Sequence, residues 1–301
     1  MKLLIVNNLA SGYGEGGIND FIRLFASDGD EICVRSTNGG CDIRDFLHDA
    51  ADFDLVVASG GDGTIATVSY ALRNTGIPIL PFPAGTANLL ALNLALPFEP
   101  YALSVLARSG KVLDFDMGEL ELGGATYGFS LIAGAGYDAT IMQYAAPAKR
   151  LLGPIAYLGA AVTHALAQKS TFSLKLDGME IEREALGVLI LNFSKIQFDI
   201  SVTHHNLPRD GAFEVVLLKA TTAFALIPDI IAGFLDRDGE FPNRSDVLEV
   251  HRANMVEVSA DPPMEVQYDG EVTGLTTPFK ARVLKKATRF VVSDEGYDRF
   301  H

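Results

Sequence analysis

The chain has 301 residues, enough for two domains, and its 48% hydrophobic and 21% charged content excludes an intrinsically disordered protein. Against 38 Asp and Glu stand only 24 Lys and Arg, and the net charge of −14 repels phosphate backbones, so no nucleic-acid partner is expected. Two cysteines, Cys33 and Cys41, exclude a disulfide framework, and no CxxC or Cys/His ligand spacing is present.

Residues 2–6 form an apolar run too short for a secretory signal, and they predict a buried strand. Residues 18–26 follow at helical spacing, then a strand at 31–35 and a helix at 43–50. A buried strand at 55–58, a helix at 64–73, a strand at 77–80 and helices at 87–94 and 101–109 continue the alternation. This βαβα order predicts a parallel sheet covered by helices. The longest charge-free stretch, residues 74–98, holds four prolines and cannot be a spanning helix, so a cytoplasmic setting is expected.

The pattern changes near Lys111. Strands at 113–122 and 125–132 join at Gly123-Gly124, and a helical region covers 139–167. Strand signals then recur at 173–176, 180–184, 186–192, 213–218, 247–250, 255–259, 264–268, 280–284 and 289–292, which predicts a mostly antiparallel β-sandwich. The expected domains are an α/β domain at 1–118 and a β-sandwich at 119–301, and the sequence leaves open whether the end of the chain stays with the second or returns to the first.

The sharpest local feature is Ser59-Gly60-Gly61-Asp62-Gly63-Thr64, between a strand and a helix. Glycines allow positive φ and close backbone approach, so successive N–H groups and a helix N-terminus can face an anion. The segment is neither GxxxxGK[ST] nor GxGxxG, and its spacing suits both a phosphate cradle and a tight turn capped by Thr64. A second turn, Pro81-Phe82-Pro83-Ala84-Gly85-Thr86-Ala87-Asn88, follows the next strand. In a parallel sheet both turns leave the same carboxyl edge, where ligands bind. There Thr86 and Asn88 offer neutral hydrogen bonds to a nucleotide, Asn88 also being a residue suited to a helix start.

These segments carry a resemblance. LLIVNNLASG (3–12), SGGDGTIATV (59–68), PFPAGTANLLA (81–91), GAGYDA (134–139), PRDGAFEVV (208–216) and YDGE (268–271) resemble, in the same order, the motifs of the diacylglycerol kinase catalytic-domain family, which includes bacterial lipid kinases and the sphingosine and ceramide kinases. The resemblance implies an ATP site in the cleft between an α/β domain and a β-sandwich. It assigns the ATP phosphates to Gly60, Gly61, Asp62, Gly63 and Thr64, and nucleotide contacts to Thr37 and Thr86. It makes Asp210 a Mg²⁺ ligand, with the Leu207 and Ala212 carbonyls beside it, an oxygen set that suits this hard cation. Glu271 becomes the general base, and Asp62 is its rival, because sphingosine-type kinases place a catalytic aspartate in that loop. Without the resemblance, Asp269-Gly270 is one of six Asp-Gly turn signals.

Three departures from the family pattern stand out. Asn8 follows Asn7 where proline is usual, Leu89 replaces a common aspartate, and the first loop has no Lys. The implied reaction is phosphoryl transfer from ATP to a hydroxyl of diacylglycerol or a similar lipid alcohol such as a sphingoid base or ceramide. The alternatives are phosphorylation of a soluble acceptor, as in NAD kinase, and nucleotide-dependent regulation with little catalysis. Transient membrane-surface contact and a homodimer are further expectations. Residues 137–168 could line an acyl groove or pack as a core helix, Lys149-Arg150 and the basic residues from Lys280 to Arg289 could face anionic lipid or solvent, and His204-His205 reads as loop.

Overall fold

The structure is a computed structural model, and it describes residues 1–11, 16–136, 169–193, 207–219 and 248–301. The expectations for residues 137–168 and His204-His205 lie outside the described residues. The chain divides into two units. The first is Met1–Met117 with Gly128–Ser130 and Leu284–His301, and the second is Gly118–Tyr127 with Leu131–Val283.

The first unit is built on parallel strands β1 (Lys2–Asn8), β2 (Glu31–Thr37), β3 (Leu55–Gly60) and β4 (Pro78–Pro83), in the order β2-β1-β3-β4. Leu3, Leu4, Ile5 and Val6 of β1 and every residue of β3 are buried, as expected of strands covered on both faces. Helices α1 (Gly17–Phe25), α2 (Asp62–Ala71), α3 (Leu89–Asn93) and α4 (Pro100–Ser109) supply the cover. On α1 the apolar spacing seen in the sequence buries Ile18, Phe21 and Phe25, and Phe21 meets Phe82 of β4 edge to face at 5.6 Å.

Strands β5 (Lys111–Leu122) and β6 (Ala125–Phe129) form a hairpin across Gly123-Gly124, both at positive φ. The second unit continues with β7 (Ile132–Gly136), β8 (Ser170–Leu176), β9 (Met179–Ala185), β10 (Gly187–Leu191), β11 (Phe213–Leu218), β12 (Leu248–Ala253), β13 (Met255–Asp261), β14 (Glu265–Tyr268), β15 (Glu271–Thr276) and β16 (Phe279–Val292). One antiparallel sheet runs β12-β11-β10-β7-β14-β15, and the other pairs the start of β16 with β13, then β8 and β9. The later part of β16 belongs to the first unit and pairs parallel with β4 at Arg289 and Phe290. A helix, α5 (Asp294–Phe300), ends the chain. The α/β unit and the mostly antiparallel β-sandwich are the fold class that the alternation and its change predict.

Four local readings change. Residues 43–50 are not one α-helix but parts of two short 3₁₀ helices, Ile43–Leu47 and Ala50–Asp52, and Asp42 accepts the Arg44 N–H and tightens the first turn. The strand expected at 125–132 breaks into β6 and β7. The strands expected at 280–284 and 289–292 are one element, β16, in which Lys286 adopts φ +49° and gives its N–H to Asp116 at 2.7 Å. Helix α5 went unpredicted, although Ser293 caps it by accepting the Gly296 N–H at 3.0 Å, and Asp294 and Glu295 fill its first turn.

Candidate functional site

The site begins where β3 ends. Gly60 and Gly61 leave the sheet and α2 starts at Asp62, with Gly61 as its N-cap in extended backbone. None of the glycines at 60, 61, 63 or 85 takes a positive φ, so space rather than handedness requires Gly60 and Gly85. A Cβ on Gly60 would lie 2.6 Å from Thr64, and one on Gly85 only 2.4 Å from the Gly61 Cα. The turn after β3 therefore touches the turn after β4, backbone against backbone. The Ala84 N–H adds a bond of 3.1 Å to the Gly60 carbonyl. Among the described residues, no side chain caps α2: Thr64 is not its cap, and its buried Oγ1 instead accepts the Asn8 amide at 2.9 Å.

Asp62 works across the same join. Its Oδ2 accepts the Leu89 N–H at 3.1 Å and its Oδ1 the Leu90 N–H at 2.9 Å, so it caps α3 from the neighbouring turn. Asn88, at φ +51°, closes its own turn: Oδ1 accepts the Gly85 N–H at 2.8 Å, and Nδ2 donates to the Gly85 carbonyl at 2.9 Å. It is buried and shapes the loop, whereas Thr86 stands exposed at the tip. Thr37 is also buried. At the end of β2, its Oγ1 accepts the Gly39 N–H at 3.0 Å.

Thr37, the Gly60–Gly61 turn and the Gly85 turn thus share the carboxyl edge of one parallel sheet. A cavity of about 330 Å³ opens there, lined by Asn7, Asn8, Ser11, Ser59, Phe82, Gly85 and Phe98 among others. Ser11 reaches the Gly61 N–H at 3.3 Å. Sequence reasoning passed over Ser11 and saw in Asn8 only a departure. The contact that gives Asn8 its use is with Thr64, 56 residues away.

The other residues singled out lie in the second unit. Glu271 is exposed at the start of β15, opposite Tyr268 across the two-residue turn Asp269-Gly270, whose φ values are +44° and +84°. The ring of Tyr268 packs on Tyr127 at 5.3 Å, and burial first, then the charge of Glu271, pushes its hydroxyl above the usual tyrosine range.

Asp210 sits on the turn before β11. Its Oδ1 accepts the Ala212 N–H at 3.1 Å, and its Oδ2 pairs with Arg252. The Leu207 carbonyl accepts N–H groups from Arg209 at 2.6 Å and Asp210 at 3.1 Å. These oxygens are the right type for Mg²⁺, and in this structure the carboxylate is paired with the Arg252 guanidinium. Among the described residues, no group of three or more His, Cys, Asp or Glu side chains is placed to hold a metal. Nor is any described helix long and apolar enough to cross a membrane.

Comparison with known proteins agrees with this architecture. Residues 2–120 match the diacylglycerol kinase catalytic domain, and residues 132–292 match the YegS C-terminal NAD kinase beta sandwich-like domain. A protein of Alcanivorax borkumensis named "Probable lipid kinase YegS-like" is 27% identical over 299 residues, covering 94% of this chain and 95% of that protein. An uncharacterized Synechocystis protein is 28% identical over 246 residues, 77% of this chain, and the chain spans about half (53%) of that relative's length. A solved structure of a diacylglycerol kinase from Bacillus anthracis superposes with a TM-score of 0.74 at 21% identity, covering 98% of each chain, a likeness of fold. With both domains matched in order over nearly the whole length, and with the two glycine turns joined as described, this chain belongs to the diacylglycerol kinase catalytic-domain family, the family of the YegS-like lipid kinases.

Proposed function

We propose that the protein transfers the γ-phosphoryl group of ATP to a hydroxyl of diacylglycerol or a similar lipid alcohol. The observation that carries this reading is the backbone contact between the Gly61 and Gly85 turns at the carboxyl edge of the sheet, in a chain of this kinase family. The N–H groups at the start of α2 carry no side-chain cap among the described residues and suit an anionic phosphate. Because the Asn8 amide donates to Thr64 Oγ1, the threonine hydroxyl hydrogen is left to point elsewhere, toward a phosphate oxygen.

Glu271 is the base. Its carboxylate takes the proton of the lipid hydroxyl, the hydroxyl oxygen bonds to the γ-phosphorus, and the bond to the β-phosphate oxygen breaks to release ADP. Asp62 is bound to two backbone N–H groups, which favours a structural role for it. Mg²⁺ enters as the counterion of ATP, and no step assigned to these residues depends on it.

The test is incubation with γ-labelled ATP, Mg²⁺ and detergent-dispersed diacylglycerol, monoacylglycerol, sphingosine or ceramide, with NAD as a soluble acceptor. Label in a lipid is the expected result, and label in NAD alone would overturn the lipid reading. Glu271→Ala should lower kcat at least 100-fold with ATP affinity within threefold of the parent. Turnover at the parent rate would remove Glu271 from its role.

A further inference from the structure

Glu271 is exposed, and the ladder beneath it is irregular: β14 pairs with β15 through Gln267↔Val272 and Tyr268↔Glu271, but the register shifts between Glu265 and Gln267. What anchors the turn is the residue two positions earlier. Asp269 is buried, and a single carboxylate oxygen, Oδ1, accepts the Leu131 N–H at 2.8 Å and the Ile132 N–H at 2.9 Å. Its own N–H donates to the Ile132 carbonyl at 2.8 Å. The pairing of β14 with β7 has its last partners at Tyr268↔Ala133, so these three bonds carry the attachment past the end of the ladder and into the turn. Gln267, fully buried, accepts the Gly270 N–H at 3.3 Å and holds the other half of the turn.

We propose that Asp269 is a positioning residue for Glu271: it pegs the hairpin turn to the start of β7 and so sets where the neighbouring carboxylate stands. This rests on Glu271 being the base. Two N–H donors on one ionised oxygen make a strong, directional anchor. Displacement of a reacting group by about 1 Å can cost 10²-fold in rate. Asp-Gly alone would make the same turn, so turn propensity does not require the side chain to be buried; the two N–H groups do.

Since both donors share one oxygen, Asp269→Asn keeps the acceptor through its amide carbonyl and tolerates φ +44°. Asp269→Gly removes the peg without backbone strain. The measurement is steady-state phosphoryl transfer to the lipid that accepts label, with KM for ATP and circular dichroism of each variant. Asp269→Gly should lose about 30- to 100-fold in kcat with KM for ATP within threefold, and Asp269→Asn should recover kcat to within about fivefold of the parent. Asp269→Asn also serves if the Gly variant does not fold, because the retained acceptor must keep its kcat within about fivefold of the parent. Full kcat in Asp269→Gly, or an Asn variant about 30-fold or more slower than the parent, would overturn the proposal. Glu271→Gln, run beside them, separates the two levels: if it turns over at the parent rate, the base assignment has failed, whereas an inactive Glu271→Gln with a fully active Asp269→Gly defeats positioning alone.

Discussion

One added methyl group tests the join between the two glycine turns. On Gly85 it would press on the Gly61 Cα at 2.4 Å, and backbone cannot step aside as a side-chain tip can. On Gly61 it would meet the Gly85 Cα at 3.6 Å, an ordinary contact. Gly85→Ala should therefore destabilise by about 1–3 kcal/mol and weaken ATP binding at least tenfold, whereas Gly61→Ala should stay within about 0.5 kcal/mol of the parent in stability. Urea denaturation and titration calorimetry with ATP check both, and equal effects would contradict the stated contact. The density of glycine made these two turns legible as a candidate site. Which property the glycines serve was left open, because handedness and space both call for glycine and only coordinates tell them apart. The alternative of Thr64 as a cap stayed open for a similar reason: a threonine at a helix start announces a hydrogen bond but not its partner.

Among the elements, those with strong periodicity were legible. β1 and β3 are continuous apolar runs, and α1 carries its three buried residues at helical spacing. Short elements held by distant groups were not. Helix α3 has five residues, and its first N–H groups depend on Asp62, 27 and 28 residues earlier. That dependence separates the two roles available to Asp62. As a cap, Asp62→Ala orphans two donors and should cost about 1–2 kcal/mol, while Asp62→Asn keeps one acceptor and costs about half as much. As a base, Asp62→Asn would abolish turnover with no loss of stability. Thermal denaturation read beside kcat decides, and the geometry favours the first pattern. Strand β15 and the left-handed turn into it illustrate the same limit: Asp269-Gly270 announced a turn, but the peg to Leu131 and Ile132 spans 138 and 137 residues and left no local trace.

At the scale of the molecule, the change from alternating βα units to successive strands was legible because the two fold classes differ in hydrophobic period. The pairing of distant edges was not. Within the second unit, β9 and β12 are edge strands of different sheets, and Arg183 of one meets Glu249 of the other at 3.1 Å. Glu249 also takes Lys219 at 3.0 Å and His251 at 2.9 Å. Burial alone would raise this carboxyl, but hydrogen bonds from His251, Lys219 and Arg183 hold it down to about 2, from an ordinary value of 4.5. A carboxylate depressed by folding contributes stability that is present above its unfolded pKa and lost as pH falls toward the folded one. The window is therefore pH 4.5 down to about 2, where protonation weakens the bonds from Arg183, Lys219 and His251 at the sandwich edge. Glu249→Gln should lower stability by about 1–2 kcal/mol at pH 6 and by much less at pH 3, so the two denaturation curves should converge as the solution is acidified. A constant gap between variant and parent across that range would show that the charge of Glu249 does not tie the two sheets together.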